Sequence, residues 1–215
     1  MKHRLNFFTC LLLVVPLAAL PVQAQQVAGQ VERQKGTASR SAADGTVDLV
    51  QGARVYVGDE IRTGPGARLQ IRFDDQSMLT LSQDARITID QFIYAPGSDS
   101  NQALDVAQGV FRFATGQIGK LTPLRVSVTT PVATIGIRGT VFLGGELTVG
   151  MPPGQPHYGF QITEGTIEVT SPAGSVVLDE PGEGTFLPLT RIAAPTPVRQ
   201  WTEEEAAEAE AALAF

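Results

Sequence analysis

From Arg68 to Asp74 the chain alternates strictly: Leu69, Ile71 and Phe73 are apolar, while Arg68, Gln70, Arg72 and Asp74 are polar. Successive side chains of an extended strand point to opposite faces, so this stretch sends one face into a core and the other into water. The apolar face resumes at Leu79 and Leu81, and again at Ile87 and Ile89, after the turns Asp75-Gln76-Ser77 and Gln83-Asp84-Ala85. Helical periodicity is almost absent from Val27 onward. Strands recurring every 8 to 10 residues or so, with turn chemistry between them, predict a mainly β domain, built as a β-sandwich or as a solenoid of stacked strands.

The turn signals extend through the chain. Ala28-Gly29-Gln30-Val31 and Gly36-Thr37-Ala38 read as the first strands, and Ala43-Asp44-Gly45 as an Asp-Gly hairpin. Gly58-Asp59 separates Val55 and Val57 from Ile61, and Thr63-Gly64-Pro65-Gly66 is turn chemistry throughout. A strand pair is expected around Gly109, then a connection from Gly116 to Thr122. The loop Met151-Pro152-Pro153-Gly154-Gln155-Pro156-His157 is the most proline-rich of the body, and a hairpin at Glu164-Gly165-Thr166 follows.

The first residues have a different logic. Lys2 and Arg4 precede an apolar run from Phe7 to Leu20, and Val22-Gln23-Ala24 is a small-residue cleavage site, the pattern of a signal peptide over residues 1–24. That run, interrupted by Pro16, is shorter than the roughly 20 apolar residues that span a bilayer. The single cysteine, Cys10, lies inside it, so a mature chain from Gln25 has neither thiol nor disulfide and is held by its core alone. Its formal charge moves from −6 to −8, which argues against nucleic acid and anionic membranes as partners. The expected location is the periplasm or the exterior, with no transmembrane anchor.

The β domain is expected over residues 25–190 and a linker of proline and small residues over 191–201. An acidic Ala/Glu-rich helix should occupy 202–215, because Thr202 with Glu205 makes a capping box and Glu203 and Glu204 favour the positive end of a helix dipole. With few large apolar anchors, this helix reads as a solvated tail rooted on the body by Trp201, or alternatively as a helix for a partner.

Val126 to Gly144 is a β-branched run broken by Pro131, Gly136 and Gly139, with Arg138 alone between the two glycines; it reads as two short strands joined by a kink. Thr130-Pro131-Val132-Ala133, Ile137-Arg138-Gly139-Thr140 and Phe142 resemble the signatures of the FecR domain family. Gly58-Asp59, Asp75-Gln76-Ser77, Gly109-Val110-Phe111-Arg112 and Glu164-Gly165-Thr166-Ile167 support the resemblance in order, over about residues 45 to 180. One departure is Gln76, where the family's turn usually has glycine. The resemblance implies a periplasmic β-rich domain. In iron-sensing relatives it follows a cytoplasmic sigma-factor-binding region and a membrane helix; a cleavable signal in their place implies a stand-alone exported domain.

The inventory for catalysis is thin. His157 is the only imidazole after the signal and reads as a solvated loop residue. Asp74, Asp75, Asp84 and Asp90 lack calcium-loop spacing and read as turn residues. No metal and no cofactor are expected. Arg138 reads as a guanidinium pinning two strand ends through carbonyls or a carboxylate such as Asp59 or Glu164. Gly139-Thr140 keeps one specific chemistry, an N-to-O acyl shift by the threonine hydroxyl followed by hydrolysis of the ester. The expected function is a non-catalytic protein-interaction or sensory module of the bacterial envelope. The alternatives are a glycan- or peptidoglycan-binding module, for which Tyr56, Tyr94, Tyr158 and Trp201 are the aromatic platforms, and a hydrolase working through His157.

Overall fold

The computed structural model describes residues 25–42, 45–95, 100–122, 125–149 and 156–215. The signal segment, Ala43 and Asp44 of the first hairpin turn and most of the proline-rich loop lie outside them. Among the described residues, sixteen strands form one continuous sheet. In chain order they are β1 (Val27–Lys35), β2 (Ala38–Ala42), β3 (Gly45–Asp48), β4 (Arg54–Tyr56), β5 (Glu60–Thr63), β6 (Arg68–Phe73), β7 (Met78–Leu81) and β8 (Arg86–Ile93). Then come β9 (Asn101–Gln108), β10 (Phe111–Ala114), helix α1 (Gln117–Leu121), β11 (Val126–Thr129), β12 (Thr134–Leu147) and β13 (His157–Ser171). The chain ends with β14 (Gly174–Leu178), β15 (Glu183–Pro188), β16 (Arg199–Gln200) and helix α2 (Glu203–Leu213).

The two longest strands fold this sheet over. β12 pairs with β11 through Thr134 to Ile137, and with β10 through Val141 to Gly144. β13 lies against β12 along its whole length, pairing with β14 at one end and with β15 at the other. Both strands therefore run through two wings, in the orders β3-β2-β5-β8-β9-β11-β12-β13-β14 and β4-β1-β6-β7-β10-β12-β13-β15-β16. The wings face each other. Phe73 of β6 and Phe92 of β8, from opposite wings, stack with ring centroids 5.6 Å apart, and both wings feed one core. The architecture is a sandwich made by folding a single curled sheet.

The corner has a physical cause. Arg138 faces Thr166 and Val141 faces Glu164, so Gly139 and Thr140 together oppose Gly165 alone. Such a bulge, with glycine in the left-handed region at its first position, bends a strand and sharpens its twist; Gly139 has φ +60°. Gly165 is required for space as well, because a Cβ there would press on the Gly139 carbonyl and stand 2.9 Å from the Thr140 Cα. A second register shift between Val141 and Phe142 leaves Thr163 as the extra residue on β13.

Alternation sorts the side chains as the sequence implies. Leu69, Ile71, Phe73, Leu79 and Leu81 are buried in wing two, and Ile87 and Ile89 in wing one. Each fully buried side chain of this size contributes about 1.5–3 kcal/mol. Three expectations need correction. Glu164-Gly165-Thr166 is not a hairpin but lies inside continuous β13, where Gly165 faces the bulge of β12. Gly36 and Thr37 form the β1–β2 turn rather than a strand, since Gly36 sits at φ +73°. The link after β10 contains α1, whose first turn is bound by the distant Asp75 rather than by an adjacent cap.

Candidate interaction surfaces

The motif residues gather at the folded corner and at two turns at the opposite end of wing one. At the corner Thr140 is buried, and its hydroxyl donates to the Thr166 carbonyl at 2.8 Å. Its N–H donates to Thr115 Oγ1 at 3.0 Å, and the Thr115 hydroxyl donates back to the Thr140 carbonyl at 2.8 Å. The hydroxyl that an acyl shift would direct at the Gly139 carbonyl is thus committed across the ladder. Phe142, one step into wing two, packs edge-on against Phe111 at 5.7 Å and beside Phe113 at 6.2 Å.

The two turns are closed by side chains. Thr130 accepts the Ala133 N–H at 3.2 Å and donates to the Ala133 carbonyl at 2.9 Å, fixing the Thr130–Ala133 turn around exposed Pro131. At Gly58-Asp59, Gly58 has φ +87°, while Asp59 is fully buried and accepts the Tyr56 N–H at 2.9 Å and an Arg40 guanidinium N–H at 3.1 Å. Arg40 also lies 4.9 Å from the centroid of the Tyr56 ring.

Arg138 is not the pin that its setting in the sequence suggested. It is exposed on the outer side of the bulge, and its side chain makes no hydrogen bond or ion pair among the described residues. The inward position at Asp59 is filled by Arg40, which lies on the core face of β2, and Glu164 is exposed beyond the corner.

His157 is also not a solvated loop residue. It begins β13, is 7 % exposed, and its ring lies 4.3 Å from that of Phe186. Burial lowers its pKa and Arg199 adds to that, against the pull of Glu205 and Glu208. Tyr158 is fully buried, its phenol pushed up by burial and by Glu146 and Asp105, so it offers no platform to a sugar. Trp201 is buried as well, stacked on Phe186 at 5.1 Å.

Among the described residues no group of three His, Cys, Asp or Glu side chains is placed to hold a metal ion. Asp75 and Asp84 sit in turns, and Asp84 itself has φ +52°. Asp90 falls at a β8 register shift, where burial and the neighbouring Asp105 carboxylate raise its pKa.

The outer faces of the two wings differ. Wing two is covered by α2 through Val110, Leu143, Leu147, Phe186, Trp201, Ala209 and Leu213. The expected solvated tail is a docked helix instead. Its capping box is complete, with the Glu205 N–H donating to Thr202 Oγ1 at 3.2 Å and the Thr202 N–H to Glu205 at 2.9 Å. Glu208 then takes the N–H groups of Thr148 and Val149 and the Thr148 hydroxyl.

No helix covers wing one among the described residues. Across its nine strands one transverse row of paired residues reads Thr46, Ser41, Glu60, Thr88, Asp105, Thr129, Thr134, Thr170, Ser175. Every member is a hydroxyl or a carboxylate, and neighbours stand one strand spacing apart, about 4.8 Å. The next row is floored by Ala103, Ser127 and Gly136, whose missing Cβ would meet nothing within 4 Å. The result is a flat polar face with a shallow centre. The sequence shows each polar position on its strand, but the row depends on registers that only the folded sheet fixes.

The sequence profile described as "FecR protein" matches residues 59–168, half of the chain. The chain belongs to the FecR family. The matched segment runs from Asp59 through the folded corner to Glu168, and membership of this family supports a signalling or regulatory domain. Two crystal structures of a candidate anti-sigma factor from Parabacteroides distasonis are similar, each at 16 % identity and a TM-score of 0.49 over 68 % of this chain. The chain spans 60 % of the length of that protein. No curated protein sequence matches.

Proposed function

We propose that this FecR-family chain is a non-catalytic interaction or sensory module of the bacterial cell envelope, exported to the periplasm or beyond by cleavage after Ala24. Membership of a regulatory family supports the module reading, and the apolar leader with its small-residue site supports export. The observation that carries the binding assignment is the contrast between the wings: one outer face is sealed by α2, and the other presents an open row of hydroxyls and carboxylates. Polar rows of this kind recognise a partner through many modest hydrogen bonds rather than through one buried anchor. Envelope protein is the partner class favoured.

The test places a photo-crosslinking amino acid at Thr134, an exposed member of the row, and at Glu204 on the exposed side of α2. A reproducible adduct from the Thr134 position in native envelopes is expected. Its absence at several row positions under several growth conditions would remove the assignment. The same row supports a second reading, because hydroxyls and carboxylates also bind the hydroxyls of a polysaccharide. Retention on purified cell-wall sacculi, lost on Thr134→Val with Thr170→Val, would favour that reading.

A further inference from the structure

The outer face of wing two differs from the surface proposed above in both shape and charge. Leu143 and Leu147 of β12, Val110 and Phe186 form an apolar seat on which Trp201 lies, and the seat is cut to shape. A Cβ at Gly159 would stand 2.8 Å from the Trp201 ring and 2.9 Å from Phe186. Into this seat α2 places only Ala209 and Leu213 as buried apolar side chains.

The polar contacts that hold α2 are mostly charge-assisted. Five of its eleven residues are glutamate and none is basic. The rim facing it carries arginines: Arg199 grips Glu205 with two N–H donors at 2.6 and 2.8 Å, and Arg112 pairs with Glu210. Arg33 covers the Phe215 ring at 4.1 Å, and Arg68 donates to the Ala211 carbonyl at 3.4 Å. In a chain of net negative charge this is a local cationic frame around an apolar floor.

The fit of α2 to this frame is incomplete. At the root of the helix lies a cavity of about 440 Å³ lined by His157, Phe186, Arg199 and Glu205. Trp201 Nε1 and His157 Nε2 are buried beside it without a hydrogen-bond partner among the described residues, although buried ring nitrogens normally have one. An eleven-residue helix is also too short to persist once detached.

We propose that the outer face of wing two is a receptor for an acidic amphipathic helix, which α2 fills in cis and which an acidic helix of a protein partner, bearing larger apolar anchors, fills in its place. Because α2 is tethered, it competes at a high effective concentration, and the partner's apparent affinity is reduced by the fraction of chains in which α2 is docked. Weakening α2 therefore tightens the partner. Glu208 holds three donors of the seat, so Glu208→Ala should strengthen partner binding by roughly ten-fold.

Trp201, the single tryptophan, reports on the exchange. The probe is a peptide copying Thr202–Phe215 with Ala206→Leu and Ala212→Leu, which contains no tryptophan, titrated into the full chain while Trp201 emission and amide exchange over 203–213 are followed. A saturable emission change, faster exchange of α2, and about ten-fold tighter binding to the Glu208→Ala chain are expected. Glu210→Gln, which loosens α2 at its far end and leaves the seat intact, serves if the first variant does not fold. No change in either readout for the native and loosened chains would overturn the proposal. Equal binding of a peptide with lysine in place of the glutamates would overturn it too, as would an emission that instead tracks a concentration-dependent dimer, which would assign the seat to a second copy.

Discussion

Asp75 is the clearest place to test how the family's turn supports the fold. It is fully buried at the β6–β7 turn and accepts three hydrogen bonds: from the Ser77 N–H at 3.0 Å, the Ser77 hydroxyl at 2.6 Å and the Ile118 N–H at 3.2 Å. The same residue's carbonyl accepts the Gln117 N–H at 2.7 Å, so one turn of wing two holds the first turn of α1. Asp75→Ala leaves two buried N–H groups without acceptors, at about 1–3 kcal/mol each, and removes the substitute for a helix cap, so a total loss of about 3–5 kcal/mol is expected. Asp75→Asn keeps one oxygen for Ser77 but turns a donor toward the Ile118 N–H, or the reverse; it should cost about half as much. Urea unfolding followed by circular dichroism gives both numbers from the shift in midpoint at constant slope. Hydrogen exchange should accelerate first over 115–122. A cost below about 1 kcal/mol for Asp75→Ala, or exchange unchanged in α1, would refute the claim that this carboxylate ties the two elements together.

Other outcomes follow from single residues. Gln76 occupies the left-handed region at φ +69°, and its side chain is exposed, so Gln76→Gly should be neutral to about 1 kcal/mol stabilising in a thermal melt, backbone relief being offset by unfolded-state entropy. Gly139→Val should destabilise by about 2 kcal/mol or more, since a β-branched residue is strained at the φ of +60° that the bulge requires. With the Thr140 hydroxyl bound to the Thr166 carbonyl, the intact mass of the purified chain should show no product cut between Gly139 and Thr140; a second species would reopen self-processing. His157 has its pKa lowered by burial, so it contributes stability that is complete above the ordinary imidazole pKa and lost as pH falls through the folded value. His157→Phe should flatten that slope, whereas an unchanged slope would mean that another group titrates.

The β character, the turn positions and the buried face of β6 and β7 were legible because alternation is a local signal. The capping box at Thr202 and Glu205 was legible for the same reason. What escaped were long-range pairings. Nothing near Gln117 in the sequence announces a helix, because its cap comes from Asp75, far back in the chain. Arg138 looked like the natural partner of a carboxylate, yet Asp59 faces the interior with Arg40, and Arg138 alternates outward. His157 looked solvated because its proline neighbours signal a loop, whereas Phe186 and Trp201, which bury it, come much later. The docking of α2 was hidden by its composition: alanine is a weak anchor until a seat is cut for it.

The sharing of β12 and β13 between both wings sets the order in which the molecule can assemble. Every strand from β1 to β11 belongs to a half-sheet whose neighbour at the fold is β12 or lies beyond it. A chain emerging from the N-terminus therefore has hairpins such as β6–β7 and β8–β9 to form early, but it cannot close either layer until Ser171 has appeared. Closure is late and joint, so folding should be slow and all-or-none, with few stable partial products. A chain that stays open until its last third arrives is also one that can be threaded through a narrow channel before it folds.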